Sequence, residues 1–269
     1  MSLWPIAAVT FLEGIRNRAI YGITLFALLF LGASILVSGM IMQEVGKVIV
    51  DMALSTVSFS GLLLVLFVGI NLMAKDLDKR TIYMVLSRPI SRSQYLFGKF
   101  FGMVLLIVAT VVVVSLFAVA AILLTKLQNP DYFQRFSWAP VFLSIGFTTL
   151  SLILLSALSF FFASFVSTSF LTLVLTIVSY LIGHSINDVK ALVEMPEAAG
   201  IQVAPLTVKL VQGAYYLFPN LSLFDIKTQA AHGFSVSFPM ICWTVSYGLG
   251  YIAILMILAS FIFSRREFP

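Results

Sequence analysis

The sequence predicts an all-α polytopic membrane protein. Six transmembrane helices are expected, with an N-terminal interfacial helix, a short cytoplasmic helix after the second span and a helical outer cap before the last. Three observations carry this. The 269 residues are 61% hydrophobic and only 10% charged, whereas a soluble domain is about a quarter charged. Six apolar stretches reach the ~20 residues that a crossing requires. The one densely charged run, Lys75 to Phe101, lies between two of those stretches. The chain reads as a single transmembrane domain, 1–269, with no appended soluble domain.

The first element is 2–18. Trp4, Ala8, Phe11, Leu12 and Ile15 share one helical face, Thr10, Glu13 and Asn17 another, and Arg16 and Arg18 follow. Such a helix lies in the inner interface with its apolar side in lipid; the alternative is the first turn of a longer span. In both cases Glu13, Arg16 and Arg18 stay near the surface, because charge at depth is costly. A basic-then-apolar signal pattern with a cleavage site is not seen.

The spans are placed near 20–42, 53–74, 98–124, 140–163, 168–187 and 241–263. Only A-S-F-V-S-T, Ala163 to Thr168, divides the fourth from the fifth. Their combined length is too great for one crossing, so a tight helical hairpin is expected.

The cytoplasmic region, 75–97, has internal design. Ile82, Val85 and Leu86 recur at helical spacing, preceded by Asp76, Asp78, Lys79 and Arg80, which predicts a short amphipathic helix. Pro89 ends it, since a proline pushes the residue before it, Arg88, out of the helical region. Ser91 and Gln94 have capping-box spacing, and Ile90 and Tyr95 that of a hydrophobic staple, so a second helix starts near Arg92. A helix, a break and a capped restart make a stiff elbow. The plainer alternative is a solvated loop that only sets topology.

Six spans put both termini on one side. Arg16, Arg18, Lys75, Lys79, Arg80, Arg88, Arg92, Lys99, Arg265 and Arg266 then fall together, and the positive-inside rule makes that side cytoplasmic. The net charge of +5 needs no nucleic-acid partner on this reading; the bilayer accounts for it. The outer connections are 43–51, 126–139 and the long 188–240. The last contains V-K-L-V-Q-G-A-Y-Y-L-F-P-N-L-S-L-F-D-I-K, too apolar for a disordered linker. Short helices divided at Pro219-Asn220 are expected there, serving as a gate, a docking surface or a structural lid.

Several chemistries are excluded or disfavoured. No G-x-x-x-x-G-K-[ST] loop is present, so ATP hydrolysis by that route is absent. One cysteine, Cys242, and two histidines, His184 and His232, give no disulfide and no metal-ligand spacing. An enzyme is not expected, and no cofactor bound by this chain. Between their edges the spans carry no Asp, Glu, Lys or Arg, unlike ion-coupled carriers and proton relays. Any driving force therefore comes from elsewhere. Asn71 is the most polar residue within a span. The hydroxyl-rich fourth and fifth spans include Thr172 and Thr176. Asn71, Thr172 and Thr176 are candidates for a substrate path, with interhelical bonding and close packing as the ordinary alternative. Gly98 and Gly102 make a G-x-x-x-G spacing suited to close packing.

Thr81 to Lys99, T-I-Y-M-V-L-S-R-P-I-S-R-S-Q-Y-L-F-G-K, resembles the corresponding stretch of ABC transporter permeases of the ABC-2 type, an exporter family. Ser87, Pro89, Ser91, Arg92, Gly98 and Lys99 fill its Ser-x-Pro-x-Ser-Arg and Gly-Lys positions; Arg80 stands where glycine is common. L-F-P-N-L-S-L-F-D is also similar, and the architectural likeness covers the full length. The resemblance implies a transport subunit, half of a transporter's membrane part, in the bacterial inner membrane. It implies a second permease copy, as homodimer or related heterodimer, and cytoplasmic ABC ATPase subunits that hold ATP and Mg. The helix from Asp76 to Leu86 would be the coupling helix. Asp76, Asp78, Arg80, Thr81, Ile82, Val85, Leu86, Arg88, Pro89 and Arg92 would form the ATPase-coupling surface. A self-powered carrier or channel and a non-transporting membrane scaffold for envelope assembly are the rival readings.

Overall fold

The computed structural model describes residues 3–40, 44–72, 91–134, 136–166, 168–194 and 205–266. Among them nine α-helices occur, and six are long and apolar enough to cross a membrane. The chain is a multi-pass membrane protein. The positions expected from sequence to couple to an ATPase, Asp76 to Pro89, lie outside the described residues.

Helix α1, Trp4–Ile15, opens with proline in its first turn, where a missing N–H costs nothing. Ala7, Thr10 and Gly14 are its buried side. They face α4, Arg92–Gln128, across a seam of small residues. A Cβ at Gly98 would stand 2.7 Å from the Ile6 Cβ, and one at Gly102 would stand 2.7 Å from the Ala7 carbonyl oxygen. Gly14 meets Leu106 in the same way. The residue numbers on the two helices rise together along the seam, so α1 runs alongside α4 in the same direction. The G-x-x-x-G spacing is this seam. Between apolar helices in lipid, backbone approach of this kind supplies the attraction that water supplies elsewhere. Trp4, Val9 and Leu12 face outward.

Helix α2, Arg18–Met40, is the most peripheral early span. Ile23, Ala27, Leu31 and Ser34 form its one buried ridge, while Tyr21, Leu25, Leu29 and Leu36 are exposed. Helix α3, Val45–Leu63, is central and continues to Leu72 through a wider turn, Leu64–Gly69. Ile49, Val50, Ala53, Leu64, Val65 and Val68 are fully buried. Its start is earlier than the expected span. Lys47 and Asp51 sit in the first turns of the helix, and a Cβ at Gly46 would stand 2.5 Å from the Tyr132 carbonyl oxygen.

The long helix α4 starts where Ser91 caps it. The Ser91 hydroxyl accepts from the Gln94 N–H, and the Gln94 side chain accepts from the Ser91 N–H. A short 3₁₀ turn, Pro130–Phe133, leads into α5, Trp138–Phe165. Phe136 stands edge-on to Trp138, at 4.8 Å between ring centroids, with the Lys126 ammonium 4.9 Å from the Phe136 ring. Val166 is extended and turns the chain back into α6, Ser169–Glu194. The fourth and fifth spans are thus separate helices.

The 205–231 layer follows. It comprises α7, Pro205–Leu217, a 3₁₀ turn, Leu221–Phe224, and α8, Lys227–Ala231. Gly233, at φ 70°, ends α8. The Gly233 N–H donates to Ala230 and the Phe234 N–H to Gln229, the paired closure that favours a left-handed glycine. Helix α9, Phe238–Arg265, lies mainly against α5. One apolar core runs through α2 to α5 and α9; a smaller one joins Phe147 and Leu154 of α5 to Leu221, Phe224 and Ile226.

Candidate functional site

The start of α4, the 70–72 stretch of α3, the end of α5 and the end of α9 meet at one end of the bundle. Two basic side chains organise that meeting. Lys99 is buried, at 6% exposure. Its ammonium donates to the Leu72 carbonyl at 3.0 Å, lies 3.7 Å from a Glu13 carboxylate oxygen and stands over the Tyr95 ring. One cation therefore joins α1, α3 and α4. A buried ammonium needs such partners, because an unpaired charge in a site closed to water is costly.

Arg266 does the same for α5. Its guanidinium donates to the carbonyls of Ala163, Ser164 and Val166 at 3.1–3.2 Å. Burial lowers its pKa from the ordinary value. Arg92 completes the chain by donating to the carbonyls of Ser264 and Arg266. Tyr95, fully buried, stacks on Phe263. Leu72 and Ser91, which flank the positions expected to couple on either side, are both fixed to this framework.

Of the candidate site residues, Arg92 alone among the coupling set is described, and it ties α4 to α9. Asn71 is exposed and its amide donates to the Phe67 carbonyl of its own helix. Thr172 and Thr176 are buried, and each hydroxyl donates to the carbonyl four residues earlier, of Thr168 and Thr172. The structure therefore brings Arg92 into the basic framework, with Asn71 one residue before Leu72, and bonds the two threonines within α6.

The opposite end carries a second polar assembly that sequence reasoning missed. Asn187 donates to Ser222, Ser222 to Asn220, and Asn220 back to Asn187, at 2.6–2.8 Å. This closed ring fastens the Pro219-Asn220 turn to α6, and the Tyr247 hydroxyl accepts from the Asn220 N–H. Nearby, Asp225 accepts from the Lys227 ammonium at 3.1 Å, with the His184 Nε2 3.4 Å away. Burial alone would raise the Asp225 pKa. The His184 bond and the Lys227 charge and bonds outweigh it and hold the carboxyl at about 2. His184 and Asp225, with Ser58, Thr148, Ser151 and Tyr180, form the polar part of the lining of a small, largely apolar cavity between α3, α5 and α6. No group of three or more His, Cys, Asp or Glu that could hold a metal occurs among the described residues.

No curated protein matches the chain. Residues 4–268, nearly its whole length, match the family described as ABC-2 family transporter protein, and the chain belongs to that family, as the permease subunit of an ABC transporter.

Proposed function

We propose that this permease moves its substrate outward across a bacterial inner membrane, using ATP hydrolysed with Mg by separate cytoplasmic ATPases that dock on the coupling positions between Asp76 and Arg92. On this reading both termini are cytoplasmic, and a second copy or a relative completes the path.

The observation that carries the reading is the framework on either side of those positions. Leu72 is held by Lys99, and α4 restarts at Ser91 under a two-way cap with Arg92 bonded to α9. A force applied between these anchors reaches the 70–72 stretch of α3 together with α4, α5 and α9. Rigid-body movement of packed helices is the way such domains change state. A nearly uncharged membrane body without a nucleotide loop suits a subunit driven from outside itself.

The test is purification of the full chain from its native membrane, with identification of any co-purifying phosphate-loop ATPase. The double variant Ile82→Asp, Leu86→Asp is expected to insert normally and to lose that ATPase or its stimulated turnover. Unchanged association and turnover in the double variant would overturn the docking assignment.

A further inference from the structure

Helix α3 does not reach Leu72 as a regular α-helix. Leu64–Gly69 is wound as a π-helix, and the Ile70 N–H donates to the carbonyl five residues earlier, of Val65. Such turns are rare and concentrate at functional positions, because each carries one residue more than an α-turn and weaker bonding. The turn's sequence, L-V-L-F-V-G, contains no proline, so no missing N–H forces it.

Its surroundings are unusual too. Gly61 lies just before the turn and Gly69 is its last residue. A Cβ at Gly61 would stand 2.2 Å from the Leu152 Cδ1, and one at Gly69 would stand 2.6 Å from the Met103 Cε. Helices α5 and α4 therefore rest directly on α3 on either side of the turn. Met103 is fully buried, and an unbranched thioether refits a changing gap better than a branched side chain. Asn71 donates to Phe67 inside the turn. Leu72 is held by Lys99, whose flexible stem and rotatable donors can track a moving carbonyl.

We infer that the π-turn Leu64–Gly69 is the transmission hinge of this permease. A displacement delivered to Leu72 is taken up by exchange between five-residue and four-residue bonding in the turn, while Val45–Leu63 stays packed. Passing one residue through the turn rotates the 70–72 end of the helix by about 100° and advances it about 1.5 Å along the axis. Asn71 is a positioning residue: it acts through the Phe67 carbonyl to set the turn's register. The source of the displacement rests on the coupling reading above; the turn's mobility does not.

The test removes Phe67, a half-exposed side chain whose loss takes nothing from the core. The deletion converts the π-turn to an α-turn and leaves the flanking faces in register. Amide hydrogen exchange is measured on the full chain in lipid nanodiscs, with its co-purified ATPase and Mg-ATP. In the unmodified chain, amides 64–70 are expected to exchange roughly tenfold faster than 53–60, and the deletion to abolish that difference. The deletion should keep ATPase association and lose most ATP-stimulated turnover. Asn71→Leu, which tests the same idea should the deletion fail to insert, is expected to speed exchange at 64–70 about threefold and leave 53–60 unchanged. Equal exchange in the two segments of the unmodified chain, or full coupling in the deletion, would overturn the hinge. If no ATPase co-purifies with the unmodified chain, the coupling reading falls and the exchange comparison still decides the hinge.

Discussion

Lys99, the eighth residue of α4, donates to the carbonyl of Leu72 on α3. The bond is made by a charged donor in a site nearly closed to solvent, where hydrogen bonds to charged groups contribute about 1.5–3 kcal/mol. Lys99→Met should lower stability by roughly that amount. Lys99→Arg should not restore it fully, because a planar fork does not fill the place of a compact ammonium. Thermal unfolding in detergent, compared across the three proteins, reads the difference.

The seam between α1 and α4 gives a sharper contrast among glycines. A Cβ at Gly102 would meet the Ala7 carbonyl and the Thr10 side chain, while one at Gly22 meets nothing within 4 Å. Gly102→Ala should therefore cost about 1–3 kcal/mol by overpacking, and Gly22→Ala should stay within about 0.5 kcal/mol of the parent. Trypsin cleavage after Arg16 and Arg18 reports the release of α1. It should accelerate in Gly102→Ala and remain unchanged in Gly22→Ala.

Acid should loosen the 205–231 layer. The Asp225 carboxyl is held at about 2 against an ordinary 3.8, by His184 and Lys227 acting against burial. A folded-state pKa below the unfolded one gives stability that is present above about pH 4 and is lost as pH falls toward 2. With discount for the partial exposure of the group, the contribution is about 1–2 kcal/mol. Asp225→Asn should remove this acid dependence and lower stability at neutral pH. Unfolding midpoints measured between pH 2 and 7 in both proteins check the sign.

The architecture was legible because bilayer thickness, apolar run length and charge placement are all written locally. The Ser91 cap was legible for the same reason: its partner, Gln94, is three residues away. What escaped was long-range. Lys99 reads as one more basic residue of a charged stretch until α3 delivers the Leu72 carbonyl to it. Arg266 lies about a hundred residues from the carbonyls it holds. The ring of Asn187, Asn220 and Ser222 joins α6 to a turn more than thirty residues on, and its only local trace was the Pro219-Asn220 turn. The π-turn has no composition signal. For Asn71, the interhelical bond weighed from sequence gives way to one within its own helix.

On the proposed function, force enters through the positions between Leu72 and Ser91 from the cytoplasmic side. Asp78→Cys in a Cys242→Ser background places a single thiol there. A membrane-impermeant maleimide is applied to sealed right-side-out and inverted vesicles. Labelling in inverted vesicles alone is the predicted result; labelling from the outer face of right-side-out vesicles would contradict the account.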